Sequence, residues 1–211
     1  MESDSIKMTR HSSWRRNLAR IILISGGSVA ILLPAWLPNR PTVPIERGTV
    51  ELLQAFLLAG AAVVMIGAMA HAGPLRVICR VIALILVAAF VGEIEDFVSG
   101  ILGLPFPESW IIGIIGIWII IDVARHGRAC GEFFSKLGNH AGAGFIAAAL
   151  LIIYVFNRVI GSEAFWKASL GPAFSEDIPK ICKSYLELLA CYLIFIGALG
   201  LSITLARRRP I

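Results

Sequence analysis

Residues 76–97 read RVICRVIALILVAAFVGEIEDF, and this stretch decides the class of the protein. Two arginines lie near its start, an apolar run follows, and three acids, Glu93, Glu95 and Asp96, lie near its end. Such a run between charges is typical of a helix that enters lipid, because hydrocarbon disfavours charge and a helix satisfies its own backbone hydrogen bonds. The stretch therefore predicts a transmembrane helix with a basic end and an acidic end.

The composition of the whole chain points to the same class. Of 211 residues, 57% are hydrophobic and 16% are charged, whereas a soluble domain is about 45–50% apolar and about 25% charged. The 20 glycines, 10 prolines and 4 cysteines are too few or too scattered for a collagen-like repeat, a disordered chain or a disulfide scaffold. This composition therefore predicts a protein that is embedded in a lipid membrane.

Six stretches come near the length of about 20 residues that a helix needs to cross the hydrocarbon core. They are Leu18 to Leu37, Thr49 to Ala70, Leu75 to Val98, Ser109 to Ala124, Ala141 to Phe156 and Ser184 to Ala206. No stretch alternates with a period of two, which argues against a membrane barrel. We therefore predict an all-α polytopic membrane protein, in which a bundle of six transmembrane helices (18–206) lies between a basic N-terminal segment (1–17) and a basic tail (207–211).

Lysine and arginine are distributed unevenly, and this asymmetry predicts the orientation. Basic residues occur in the N-terminal segment, the second and fourth connections and the tail, whereas the third connection, from Glu93 to Glu108, contains none. Positive residues in short loops stay on the cytoplasmic side. We therefore expect a multi-pass protein of a bacterial inner membrane with both termini in the cytoplasm. Dispersed basic residues without a recognition motif argue against a nucleic-acid partner.

The acids of the third predicted helix lie close to its basic start. Only 12 apolar residues separate Arg80 from Glu93, and they span about 18 Å of helix, less than the hydrocarbon thickness. If the helix continues toward Gly100, the acids lie within the outer half of the membrane or at its edge, where Glu93 and Asp96 share one helix face. The alternative is that the helix ends at Gly92 and the acids are solvated.

Two further acids, Glu51 and Glu187, begin helices that enter from the same outer side. Residues 51–57 (ELLQAFL) and 187–193 (ELLACYL) share a glutamate, two leucines, an aromatic residue and a leucine at equal offsets. This pattern places the two glutamates as counterparts at one level of a bundle. Helix capping is the competing interpretation, because acids in a first turn complement the helix dipole.

The candidate ligand-binding residues thus form one outer-facing group. They are Glu51, Glu93, Asp96, Glu187 and Arg158. Arg158 follows an apolar helix, and we expect it to neutralise one of the acids, with interfacial snorkelling as the alternative. A divalent cation is one candidate occupant of such a group.

The four histidines lie on the opposite, cytoplasmic side, so they cannot complete a metal site with the outer acids. An alternative cytoplasmic zinc site is suggested by four residues. They are His71, Asp122, His126 and His140. The competing interpretations are solvated histidines and an ion pair of Asp122 with Arg125 in the same helical turn.

The motifs VELL (50–53), GEIEDF (92–97) and LELL (186–189) resemble a loose group of uncharacterised bacterial multipass inner-membrane proteins with an acidic motif at the outer end of the third helix. The resemblance implies that the acidic positions matter. It implies no activity and no substrate.

The sequence supports three functional hypotheses. The first is an outer-facing acidic cavity that binds a cation or a cationic or metal-bridged headgroup, for transport or sensing. The second is a membrane-embedded enzyme that acts on lipid or lipid-linked substrates with two carboxylates as acid and base. The third is a non-catalytic assembly subunit whose small-residue faces hold partner membrane helices or a second copy of the chain.

The predicted orientation can be tested by cysteine labelling. Because the basic segments stay inside, cysteines introduced as Ser5→Cys and Arg209→Cys should react with an impermeant reagent only after the membrane is breached. A cysteine introduced as Ser169→Cys, in the longest outer loop, should react in intact cells. Labelling of position 209 from outside would contradict the six-helix topology.

Overall fold

The computed structural model describes residues 24–31, 47–102, 107–136 and 141–207, and these residues form helices and turns without a β-strand. The helices are α1 (24–31), α2 (Arg47–Ala68), α3 (Arg76–Leu102), α4 (Glu108–Arg125), α5 (Gly127–Lys136), α6 (Ala141–Leu151), α7 (Asn157–Ile160), α8 (Glu163–Leu170) and α9 (Asp177–Arg207). A π-helical turn, Ile152–Phe156, joins α6 to α7 without a break, and 3₁₀ turns at Gly73–Leu75 and Gly171–Ala173 precede α3 and follow α8.

Four helical stretches are long and apolar enough to cross a membrane. They are Thr49–Ala68, Arg76–Glu95, Gly142–Ile160 and Asp177–Leu205. A fifth span is counted if Glu108–Arg125 and Gly127–Phe133, which meet at an angle of 89°, are taken together. The prediction of an all-helical protein is therefore confirmed, with four or five helical stretches apolar enough to span a membrane, whereas the predicted count of six spans is not confirmed by the described residues. Most of the first predicted span, Leu18 to Leu37, lies outside the described residues, and the part at 24–31 is helical.

Helix α2 lies at the centre of the bundle. Helices α3 and α9 pack along it, α4 packs on α3, and α6 packs on α9. The shared core is built from small and aliphatic side chains, among them Met65 of α2, Leu86 of α3, Ala149 of α6 and Ala190 of α9. Large apolar side chains remain exposed on the flanking helices, as a surface in contact with lipid requires. The bundle is thus ordered α4, α3, α2, α9, α6.

Helix α3 does not end at Gly92. It continues as one α-helix from Arg76 to Leu102, through Glu93 and Glu95. The interpretation of the acids as a loop beyond the helix end is therefore wrong. Glu93 is half-buried within the apolar stretch Arg76–Glu95, where an acidic group needs a polar partner or a cavity.

An ion pair joins α3 to α4 near the opposite end of the bundle. The Arg80 guanidinium donates to both carboxylate oxygens of Asp122, from Nε and from Nη2, at 2.6 Å each. Asp122 is buried, with 5% of its surface exposed, so this bidentate pair supplies the partner that a carboxylate in an apolar helix needs. Asp122 therefore pairs across the helices with Arg80, and the sequence interpretation that paired it with Arg125 is wrong.

Glycines allow α6 and α9 to approach until their backbones touch. A Cβ atom on Gly142 would lie 2.5 Å from the carbonyl oxygen of Gly197, and one on Gly197 would lie 2.7 Å from the carbonyl oxygen of Gly142. Gly200 lies against the Gly142 backbone as well. Close approach through small residues is the usual way in which membrane helices gain packing energy.

Adding one methyl group at this contact should destabilise the fold. We expect Gly142→Ala to lower the free energy of unfolding by about 1–3 kcal/mol, because the new Cβ overlaps backbone atoms that cannot move away. Gly113→Ala is the matched control, since a Cβ at Gly113 of α4 meets no atom within 4 Å. It should leave stability unchanged or raise it slightly. Thermal unfolding in detergent measures both, and equal melting temperatures would refute the close contact.

Candidate functional site

Three glutamates from three helices meet at one end of the bundle, which we call the acidic end. Here α2 carries Glu51 in its second turn, α3 carries Glu93 in its last three turns, and α9 carries Glu187 in its first three turns. Neither Glu51 nor Glu187 lies in the first turn of its helix, so the helix-capping interpretation of these two acids is wrong. The Glu93 carboxylate interacts electrostatically with Glu187 and Glu51 and with the ammonium of Lys183. All three glutamates are half-buried. The structure thus brings together three of the five predicted ligand-binding residues.

Helix order explains why these residues meet. Helices α2 and α3 form a hairpin, so the start of α2 and the last turns of α3 lie at the same level. Helix α9 packs along the other side of α2, and its register is marked by Gln54, whose side-chain Nε2 donates to the carbonyl oxygen of Ser184 at 3.2 Å. Glu51 and Glu187 therefore lie at the same end of neighbouring helices.

Gln54 positions the helices around the site, and this role was not predicted from the sequence. It is almost fully buried, with 2% of its surface exposed, and buried amides are costly unless they are hydrogen-bonded. Gln54 could have been identified from its spacing in the sequence. It is a polar residue in an apolar helix, three positions after Glu51, and therefore lies on the same helix face as that glutamate.

Glu187 has two polar neighbours on one oxygen. Asn157 Nδ2 donates to Glu187 Oε1 at 2.8 Å, and Lys183 Nζ lies 3.8 Å from the same oxygen. The side chain of Lys183 is 55% exposed, whereas that of Glu187 is 32% exposed. Because an exposed pair at this distance is weak, the hydrogen bond from Asn157 is the firmer of the two contacts.

A π-helical turn, Ile152–Phe156, directly precedes Asn157 in the chain. The backbone N–H of Asn157 donates to the carbonyl oxygen of Ile152, five residues earlier. π-Turns are rare and often mark functional sites, because they rotate the following side chains relative to the helix axis. Asn157 directly precedes Arg158 in the chain and was not among the predicted ligand-binding residues.

The side-chain oxygen of Asn157 is buried and has no hydrogen-bond partner among the described residues. Leaving a buried acceptor unpaired costs about 1–3 kcal/mol. Such an atom beside a group of carboxylates suits a ligand that donates hydrogen bonds. The acidic site is defined from here on as Glu51, Glu93, Glu187 and Asn157.

The other predicted ligand residues are placed differently. Asp96 lies in α3, but its side chain is outside the described residues. Arg158 is exposed and forms no ion pair within the described part of the chain, so it does not neutralise the acids. The positively charged side chain near Glu187 is that of Lys183 instead. Glu108 lies near the site, with Oε1 3.5 Å from a Cβ built on Gly92, and it occupies the first turn of α4 as expected for a dipole-complementing acid.

The described residues of the alternative zinc site do not come together. Both carboxylate oxygens of Asp122 are used by Arg80, and His71 and His126 are exposed. His140 lies outside the described residues. Among the residues that the structure describes, no three His, Cys, Asp or Glu side chains are close enough together to hold a metal ion.

No protein-family model matches this chain, and no curated protein or solved structure matches it significantly. The resemblance to bacterial inner-membrane proteins therefore stays a prediction. The inference of function rests on the geometry of the acidic site.

A double-mutant cycle tests whether Glu93 and Glu187 share one site. Because like charges in one partly buried site repel each other, replacing either by glutamine should relieve the other, so Glu93→Gln and Glu187→Gln should depart from additivity by about 0.5 kcal/mol or more in unfolding free energy. The cycle of Glu93→Gln with Glu163→Gln is the control, since Glu163 lies on α8 and pairs with Lys167. Additive effects in both cycles would show that the acids are independent.

Proposed function

We propose that the protein binds a cation that carries N–H donors, such as a primary ammonium group, in the acidic site, for transport or sensing. The observation that carries this proposal is the buried, unpartnered oxygen of Asn157, which lies on the residue that already holds Glu187. An ammonium N–H satisfies that oxygen, and its charge offsets the three carboxylates. Neither interaction alone selects this ligand class, but their combination does.

Lys183 supports the same ligand chemistry. Its ammonium approaches Glu187 and interacts with Glu93, so the site already accepts one ammonium group from the chain itself. Because Lys183 is largely exposed and its contact with Glu187 is 3.8 Å long, little free energy opposes its displacement by a soluble cation. In this proposal Lys183 occupies the entrance when no ligand is bound.

The charge distribution supports an outer-facing site. The exposed arginines Arg76, Arg125 and Arg128 lie at the end of the bundle opposite the acidic end, and basic residues mark the cytoplasmic side. The acidic site would then open toward the outside of a bacterial inner membrane. A cation is attracted to such a surface before it binds.

The ligand class can be tested with purified full-length protein in phosphatidylcholine nanodiscs. We expect ethanolamine to raise the melting temperature, because a ligand that binds only the folded state stabilises it by about 2.7 kcal/mol at a hundredfold excess over Kd. Choline has the same charge without an N–H donor and should act much more weakly. Sodium and magnesium ions serve as probes for a cation without hydrogen-bond donors.

The variants Glu187→Gln and Asn157→Leu should abolish the response to ethanolamine. Glu163→Gln is the matched control, because it removes one carboxylate outside the site. The hydrogen bond and charge of Lys167 hold the pKa of Glu163 below its usual range, so this carboxylate is ionised at neutral pH. An absent response to every cation, or the same response in all variants, would contradict the proposal and favour the assembly-subunit hypothesis.

A further inference from the structure

The elbow between α4 and α5 lies at the end of the bundle opposite the acidic site. The two helices meet at 89° around His126. Helix α4 packs on α3, which is long and apolar enough to cross a membrane, so a helix at right angles to α4 runs across the end of the bundle. If α3 crosses the membrane, this direction is close to the plane of the membrane surface. The elbow then places α5 at the level of lipid headgroups.

Helix α5 is amphipathic, and its apolar face is anchored. Cys130 and Phe133 are buried against Ile78 of α3. On the other side of the helix, Arg128 and Glu132 are exposed. A short helix with one face packed and the other charged is suited to an interface between lipid and water.

The elbow carries positive charge that the fold does not neutralise. Arg125, His126 and Arg128 are exposed and line an open depression formed by residues 124–129. Within the described residues, neither Arg125 nor Arg128 forms an ion pair. Asp122 is one turn away, but Arg80 occupies both of its carboxylate oxygens. Glu132 is the acidic residue of α5.

The surface around these arginines is also accessible to a bulky group. Positions 127 and 131 are glycines, and a Cβ at either would meet no atom within 4 Å. A headgroup can therefore reach the elbow without displacing a side chain at these positions.

We propose that this elbow binds the phosphate headgroup of anionic phospholipids, with Arg125 and Arg128 as the main contacts. Guanidinium groups bind phosphate oxygens in a bidentate manner, and basic residues at headgroup depth attract anionic lipid. The acyl chains of the same lipid lie along the exposed apolar surface of α4, where Ile121 is 42% exposed and one turn before Arg125. This continuity of an apolar helix face with a basic elbow selects a lipid over a soluble anion.

Native mass spectrometry of the full-length protein in detergent tests the assignment. The protein is titrated with phosphatidylglycerol and with phosphatidylcholine of identical acyl chains. We expect preferential binding of phosphatidylglycerol, and the double variant R125Q/R128Q should weaken that binding about thirtyfold, since each basic residue near the surface contributes about fivefold. The single variant R128Q should give about fivefold, and it provides the measurement if the double variant does not fold.

Two control variants test whether the lipid preference depends on the elbow or on positive charge anywhere on the protein. R125K/R128K keeps the positive charges and should retain most of the preference for phosphatidylglycerol. K167Q/K180Q removes two exposed lysines at the acidic end and should retain all of it. Equal binding of the two lipids by the wild type, or an unchanged preference in R125Q/R128Q and R128Q, would overturn the proposal. Loss of the preference in millimolar inorganic phosphate would overturn it too, because the elbow would then be a site for soluble anions.

Discussion

Helices α3 and α9 pack on opposite sides of α2, and this packing sets which residues lie at the same level in the bundle. The hairpin of α2 and α3 sets Glu51 level with Glu93, and the packing of α9 along α2 sets Glu187 at the same level. In hydrocarbon these contacts come from close packing of small and aliphatic side chains, since lipid gives no hydrophobic driving force between helices. A shift of one helix by a single turn would separate the carboxylates by about 5.4 Å.

Polar side chains in the bundle fix this register at both ends. The Arg80–Asp122 pair locks α3 to α4 near the basic end, and the hydrogen bond from Gln54 locks α2 to α9 near the acidic end. Each of these contacts offsets the cost of a polar group in an apolar helix only when the two partner residues lie at the same level along the bundle. These contacts select one arrangement among several that the apolar surfaces alone would permit.

The acidic site differs from these structural pairs because its polar groups are incompletely matched. At the basic end, one carboxylate meets one guanidinium through two hydrogen bonds. At the acidic end, Glu93 and Glu187 both interact with Lys183, and a buried oxygen of Asn157 has no hydrogen-bond partner within the described part of the chain. Structural polar groups in membranes are normally satisfied. In our proposal, a ligand supplies the missing charge and hydrogen-bond donors at the acidic end.

The sequence predicted the helical membrane class, because its apolar runs and scarce charges admit no soluble fold, and it singled out Glu51, Glu93, Asp96 and Glu187 because acids in apolar helices are costly. It did not determine their partners. Contacts between helices pair Asp122 with Arg80 rather than Arg125, and Glu187 with Asn157 and Lys183. Arg158, which was expected to neutralise one of the acids, forms no ion pair within the described residues. Sequence spacing reveals neighbours on one helix, whereas contacts between helices depend on helix order and register, which apolar packing and the polar contacts between helices set together.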